Sequence, residues 1–172
     1  SSGDDVNEYS LTTGFDVSTA TYVQNFSVSS QEQVPTGIAF NNDGTKMYIL
    51  GDAGNDVNEY SLSTAFDVSS ASFAGNSEIF SVSSQEVNPM GITFNNDGTK
   101  MFVIGYSGDD VNEYSLSTAF DVSTASYVQR FAVGSQETNP KGMAFNNDGT
   151  KMFIVGSQGD DVNEYSLSTA FD

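Results

Sequence analysis

Three glutamates, Glu32, Glu86 and Glu137, occupy matching places in near-copies of one segment, Glu-x-x-Pro-x-Gly. A repeat that set them around a common axis would gather carboxylates at one radius, and a hard cation such as calcium takes such oxygen ligands. The acidic pairs Asp109/Asp110 and Asp160/Asp161 recur on the same scale, so Asp110 and Asp161 join the glutamates as candidate cation ligands. The spacing matches no EF-hand loop. Asp43, Asp97 and Asp148 stand in Asn-Asn-Asp-Gly-Thr and are expected to bond their own backbone in a turn instead.

Other chemistry is narrowed by what the chain lacks. It has no histidine and no cysteine, which removes the usual general base and the thiolate nucleophile. Glycoside hydrolysis needs one carboxylate with a raised pKa beside another that stays ionised. Near-identical repeats set around an axis present like groups at equal radii, so no such unlike pair stands out, and the expectation is a protein that is not an enzyme. A net charge of −18 argues against nucleic acid, which needs a basic patch. No run of 18 apolar residues and no basic-then-apolar leader occurs in the sequence given, so no membrane span is expected.

The elements that must position these groups are repeated. Asp-Val-Asn-Glu-Tyr-Ser-Leu occurs four times, at 5–11, 56–62, 110–116 and 161–167, whereas Asn-Asn-Asp-Gly-Thr-Lys-Met occurs three times, at 41–47, 95–101 and 146–152. In one unit, Gly91-Ile92-Thr93-Phe94 alternates as a strand does, Asn95 to Gly98 reads as a tight hairpin, and Met101 to Ile104 is an apolar run wanting cover on both faces. Val111 to Leu116 is a third strand, with Tyr114 and Leu116 on one face and Val111 and Glu113 on the other. A Ser/Thr-rich linker follows, pinned by Phe120 and Val122, and Tyr127 to Val133 is the fourth strand. No segment has the length and period of a stable helix. The fold class is therefore all-β, and four antiparallel strands per unit of about 50 residues is the spacing of a β-propeller blade. The residues divide as a single repeat domain, 1–172, with a partial blade 4–33, blades 34–87 and 88–138, and a partial blade 139–172. Three extra residues near Ser72–Phe80 are expected to bulge the fourth strand of the middle unit on its rim.

Gly-Ile/Met-Ala/Thr-Phe-Asn-Asn-Asp-Gly-Thr-Lys-Met-Tyr/Phe, followed by Val-Asn-Glu-Tyr-Ser-Leu, resembles β-propeller repeats of the YVTN/NHL-like or lactonase-like type, over nearly all of the chain. The resemblance implies the propeller fold. Lactonase-like relatives also imply acidic side chains and a divalent metal near the axis, often with histidine or asparagine nearby; this chain offers Glu and Asn candidates but no histidine.

With strands lettered A to D from the axis outward, the chain reads CD, ABCD, ABCD, ABC, which is about three blades. A stable propeller has four to eight, so self-association into a six-bladed homodimer with composite blades is expected, each end offering one copy of the C strand. The function expected is a non-catalytic module for structural or adhesive recognition, stabilised by calcium, with a glycan or surface ligand and an extracellular, cell-surface or virion setting. The alternative is a metal-dependent hydrolase or lactonase-like enzyme with an axial acidic site.

Overall fold

The computed structural model describes residues 3–172, and all extended structure in it is antiparallel. A two-stranded sheet of β1 (Asp5–Leu11) and β2 (Ala20–Ser27) comes first. The next sheet holds β3 (Pro35–Phe40), β4 (Lys46–Gly51), β5 (Asp56–Leu62), β6 (Ala71–Phe73) and β7 (Ile79–Ser81). A four-stranded sheet follows, of β8 (Pro89–Phe94), β9 (Lys100–Gly105), β10 (Asp110–Leu116) and β11 (Ala125–Ala132). The last holds β12 (Pro140–Phe145), β13 (Lys151–Gly156) and β14 (Val162–Ser166). Each complete sheet is an up-and-down meander, and the architecture is the all-β, propeller-like one that the repeats predict.

Each hairpin between first and second strands is built by its own residues. In the first copy Gly44 takes φ 72° and its N–H donates to the Asn41 carbonyl at 3.1 Å. Asp43 accepts from the Thr45 N–H at 3.0 Å and its hydroxyl at 2.6 Å, and these bonds hold its carboxyl below the ordinary carboxylate range. Phe66, in the left-handed region at φ 59°, donates its N–H to the Gly44 carbonyl at 2.9 Å and lays its ring over the glycine, where a Cβ would collide with it. Phe120 on Gly98 and Phe171 on Gly149 repeat the arrangement. Asp67 and Asp121 then cap short 3-10 turns through the N–H groups of Ser69 and Ser123.

The sheets stack face to face, and their apolar runs meet in three seams. One gathers Val28, Met47, Ile49, Tyr60, Leu62 and Val68. Tyr48, Leu50, Val57, Tyr114, Leu116 and Val122 fill the next, and Phe102, Ile104, Val111, Met152 and Ile154 the third. Tyr114 and Val111 of β10 thus serve opposite faces, as alternation requires. The extra residues of the middle unit split its fourth strand. A 3-10 turn at Asn76–Glu78 separates β6 from β7, yet Val57 still faces Phe80 as Val111 faces Phe131. The insertion is absorbed at the outer edge, and the core register is kept.

Candidate functional site

The chain at Val28 to Glu32 makes a tight turn in which the Glu32 N–H donates to the Val28 carbonyl at 2.8 Å; Val82–Glu86 and Val133–Glu137 repeat it. The turn sends each glutamate inward, and all three are fully buried. Glu32 accepts from the N–H groups of Val34 (2.5 Å), Ala53 (3.2 Å) and Gly54 (3.1 Å). Glu86 accepts from Asn88 (2.7 Å), Ser107 (3.2 Å) and Gly108 (3.2 Å). Glu137 accepts from Asn139 (2.7 Å), Gln158 (3.2 Å) and Gly159 (3.3 Å). Three backbone donors form a nest that stabilises the carboxylate in the way a cation would. Each glutamate therefore ties the loop before the first strand of its sheet to the loop between the second and third.

The residues expected as cation ligands are not gathered by this arrangement. Asp110 is buried on β10, accepts from Asn112 Nδ2 at 2.7 Å and pairs with Arg130 Nη1 at 3.3 Å. Burial pushes its carboxyl above the ordinary range. Asp161 is exposed and accepts from Asn163 Nδ2 at 2.9 Å. Among the described residues, the trio of acidic groups with oxygens within 4.8 Å of one another is Glu59, Glu78 and Asp121, none of them in the expected set. The carboxylate oxygens of Glu32, Glu86 and Glu137 are already taken up as acceptors of backbone N–H groups, so calcium finds no fit at the glutamates and no step is routed through it.

The Glu59 trio has two counterparts that explain it. Gln24 Nε2 bridges Glu8 (2.9 Å) and Asp67 (2.7 Å), and Gln129 Nε2 bridges Glu113 (2.9 Å) and Asp172 (3.3 Å). In the middle unit Asn58 pairs with Ile79, and the residue before it, Glu78, brings its carboxylate beside Glu59 as Gln24 brings its amide beside Glu8. A third carboxylate thus replaces a bridging amide. Lys46 Nζ, 2.6 Å from Glu59, compensates part of the charge.

Unlike groups meet where the repeats differ, on the face carrying the loops before the first strands and between the second and third. Asn88 Nδ2 donates to Asp52 Oδ1 at 3.1 Å, and the Asn55 amide nitrogen faces the Val87 carbonyl at 2.7 Å. At the following seam Tyr106 replaces Asp52, Asp109 replaces Asn55 and Lys141 replaces Met90. There Lys141 Nζ lies over the Tyr106 ring, 4.3 Å from its centre. A carboxylate cannot donate as the Asn55 amide does, and Asp109 Oδ1 is left buried without a partner, as is Asn139 Oδ1. Tyr106 and Lys141 thus meet across the seam, and the same two segments carry Asp109 and Asn139. The signal for these side chains in the sequence is the change between repeats from Asn to Asp at 109 and from Met to Lys at 141.

No protein-family model and no curated protein sequence matches the chain. Solved structures match its fold. A putative 6-phosphogluconolactonase from Bacteroides uniformis aligns over 97% of this chain and 48% of its own, at 12% identity and a TM-score of 0.65. The periplasmic gluconolactonase of Pseudomonas aeruginosa aligns over 77% of this chain and 35% of its own, at 14% identity and TM-score 0.57. The β-propeller domain of Cps50 (Swd1) from Myceliophteria thermophila aligns over 86% and 42%, at 11% identity and TM-score 0.56. The chain spans about half the length of such proteins or less.

These likenesses correct the expectation that the protein is not an enzyme, because proteins named as gluconolactonases have this fold. The physical reason lies in the loops. Near-identical strands place like groups at equal radii, but single changes, at 106 and 109 in a loop and at 141 near the start of β12, set unlike groups along one seam.

Proposed function

We propose that the protein is a lactonase-like hydrolase whose reactive groups are Asp109, Asn139, Tyr106 and Lys141, at the loop face of the seam between the sheets of β8–β11 and β12–β14. The observation that carries this reading is the pair of unpartnered buried oxygens, Asp109 Oδ1 in the loop of Tyr106 and Asn139 Oδ1 two residues before Lys141, whose ammonium lies over the Tyr106 ring. Support for the substrate class comes from the fold's likeness to gluconolactonases.

In this reading Asp109 takes a proton from a water molecule as it attacks the lactone carbonyl carbon. Lys141 stabilises the oxyanion that forms, since a fixed cation aimed at developing charge lowers the barrier. The ring carbon–oxygen bond then breaks, and the alkoxide leaving group takes up the proton that Asp109 accepted. Asn139 orients a sugar hydroxyl through its free oxygen.

The test is pH-stat titration of acid release from glucono-δ-lactone and 6-phosphogluconolactone. Asp109→Asn and Lys141→Met, the latter giving the residue that stands at position 90, should each lower kcat/KM at least tenfold. Hydrolysis no faster than buffer, in both calcium and chelator, would end the proposal.

A further inference from the structure

The three seams are alike except for what is missing at the two ends of the stack, and the missing parts match. In the first seam Val68 is buried and its N–H donates to Glu8 Oε2 at 3.0 Å. In the second Val122 is buried and its N–H donates to Glu59 Oε2 at 3.3 Å. At the third the corresponding carboxylate, Glu113, instead lines a cavity of about 300 Å³ with Phe102, Gln129, Met152 and Leu167. Asp172 reaches it in the place of Asp67 and Asp121. No valine fills it. Yet Asp16-Val17-Ser18 repeats Asp67-Val68-Ser69, and Val17 is 82% exposed.

The other end shows the reciprocal relation. Ala39, Tyr48 and Leu50 pack into the second seam from the sheet of β3–β7. Their counterparts on the last sheet, Ala144, Phe153 and Val155, line an open apolar surface with Met143, and Val155 is 46% exposed. Meanwhile Val6, Val28, Ile38 and Ile49 line a cavity of about 320 Å³ inside the β1–β2 hairpin, where no first and second strands lie. Lys46 and Lys100 each donate Nζ to the carbonyl of the phenylalanine one sheet on, Phe120 at 2.9 Å and Phe171 at 2.7 Å. Lys151 has its ammonium on Glu164, its one partner among the described residues, while Phe66 is 52% exposed.

We propose that a second copy of this chain docks head to tail, so that β12 and β13 of one copy and β2 of the other form one composite blade. Val17 of the second copy then fills the cavity beside Glu113 and donates its N–H to that carboxylate. On the far side of the same blade, Phe153 and Val155 enter the apolar cavity at Ile38 and Ile49 of the second copy, and Lys151 reaches its Phe66 carbonyl. The register is the same whether β14 or the incoming β1 holds the third place, because Val17 follows the hairpin's first strand in both cases. A heterologous contact of this kind closes when the rotation permits. Burying these apolar groups outweighs the repulsion of two chains at −18, which salt screens.

Light scattering of the purified chain at micromolar concentration tests this. The expected mass is that of two 18.3 kDa chains, with dissociation weakened at higher salt. Val17→Asp and Val155→Asp should each raise the dissociation constant at least tenfold. Both side chains are exposed in the single chain, so far-UV circular dichroism should not change and loss of the dimer cannot be read as loss of folding. A monomer at every concentration, a ladder of higher masses, or a dimer indifferent to both substitutions would overturn the proposal.

Discussion

Glu86 occupies the space that a side chain at residue 105 would need: a Cβ on Gly105 would run into the Glu86 carboxyl group. The glycine that ends β9 is therefore half of a pair, and Glu32 with Gly51 and Glu137 with Gly156 repeat it. Gly105→Ala should expel the carboxylate from its nest, and Glu86→Ala should strand the N–H groups of Asn88, Ser107 and Gly108. Each substitution is expected to cost about 2–4 kcal/mol, the range for breaking charge-assisted hydrogen bonds in a buried site. Urea denaturation of the two variants measures it, and a double variant should cost less than the two separately, since both destroy one interaction.

The Glu59, Glu78 and Asp121 trio predicts a stabilising change. Glu78→Gln puts back the amide that bridges two carboxylates in the sister units through Gln24 and Gln129. A gain of about 1 kcal/mol is expected, the net worth of a typical hydrogen bond. A thermal melt in chelator reads it; an unchanged or lower Tm would count against the bridge.

How much of this was readable from residues alone follows from the range of each interaction. The Asn-Asn-Asp-Gly hairpins and the apolar runs such as Met101 to Ile104 declare themselves locally, so strands, sheets and the all-β class were legible. The repeated glutamates were visible too, but their partners lie in a loop 21 and 22 residues on, and only the folded chain shows that backbone N–H groups already satisfy them. Glu78 is hidden for another reason. The insertion displaces it in the alignment of repeats, and strand pairing restores it to the register of Gln24 and Gln129. At the loop face, the orphaned oxygen of Asp109 stands out only against its counterpart at the preceding seam, Asn55, which fills the equivalent place with a donor.

The left-handed turns give a third prediction. Gly98 has φ 72° and lies under the Phe120 ring, which also packs on Phe94 at a centroid distance of 5.5 Å. Phe120→Ala should cost about 3 kcal/mol, at the low end for a truncated aromatic because the native φ of 58° is itself strained. Gly98→Ala should be destabilising as well, because the new Cβ meets both the ring and an unfavourable φ. Chemical denaturation of both variants provides the comparison, and a Gly98→Ala protein as stable as the parent would show that the ring does not lie there.

Titration of Glu59 supplies a prediction whose sign can be worked out. Burial pushes its carboxyl above the ordinary 4.5; the bond to Lys46, the Lys46 charge and the Val122 N–H oppose the shift, and Glu78 adds to it. The folded state therefore keeps this proton to higher pH than the unfolded chain does. The stability it contributes is fully present below 4.5 and is lost as pH rises through the raised value. Asp56 and Asp110, raised mainly by burial, act in the same direction. Asp43, Asp97 and Asp148, held low by bonds from their neighbouring threonines, act oppositely, and their contribution is lost only as pH falls below the ordinary 3.8. Glu59→Gln fixes the neutral state at one site and leaves the others alone. Between pH 4.5 and 7 the variant should lose less stability than the parent, so the difference in unfolding free energy should move in the variant's favour as pH rises. Urea midpoints at several pH values across that window measure the slope, and parallel curves would mean that Glu59 titrates alike in the folded and unfolded chain.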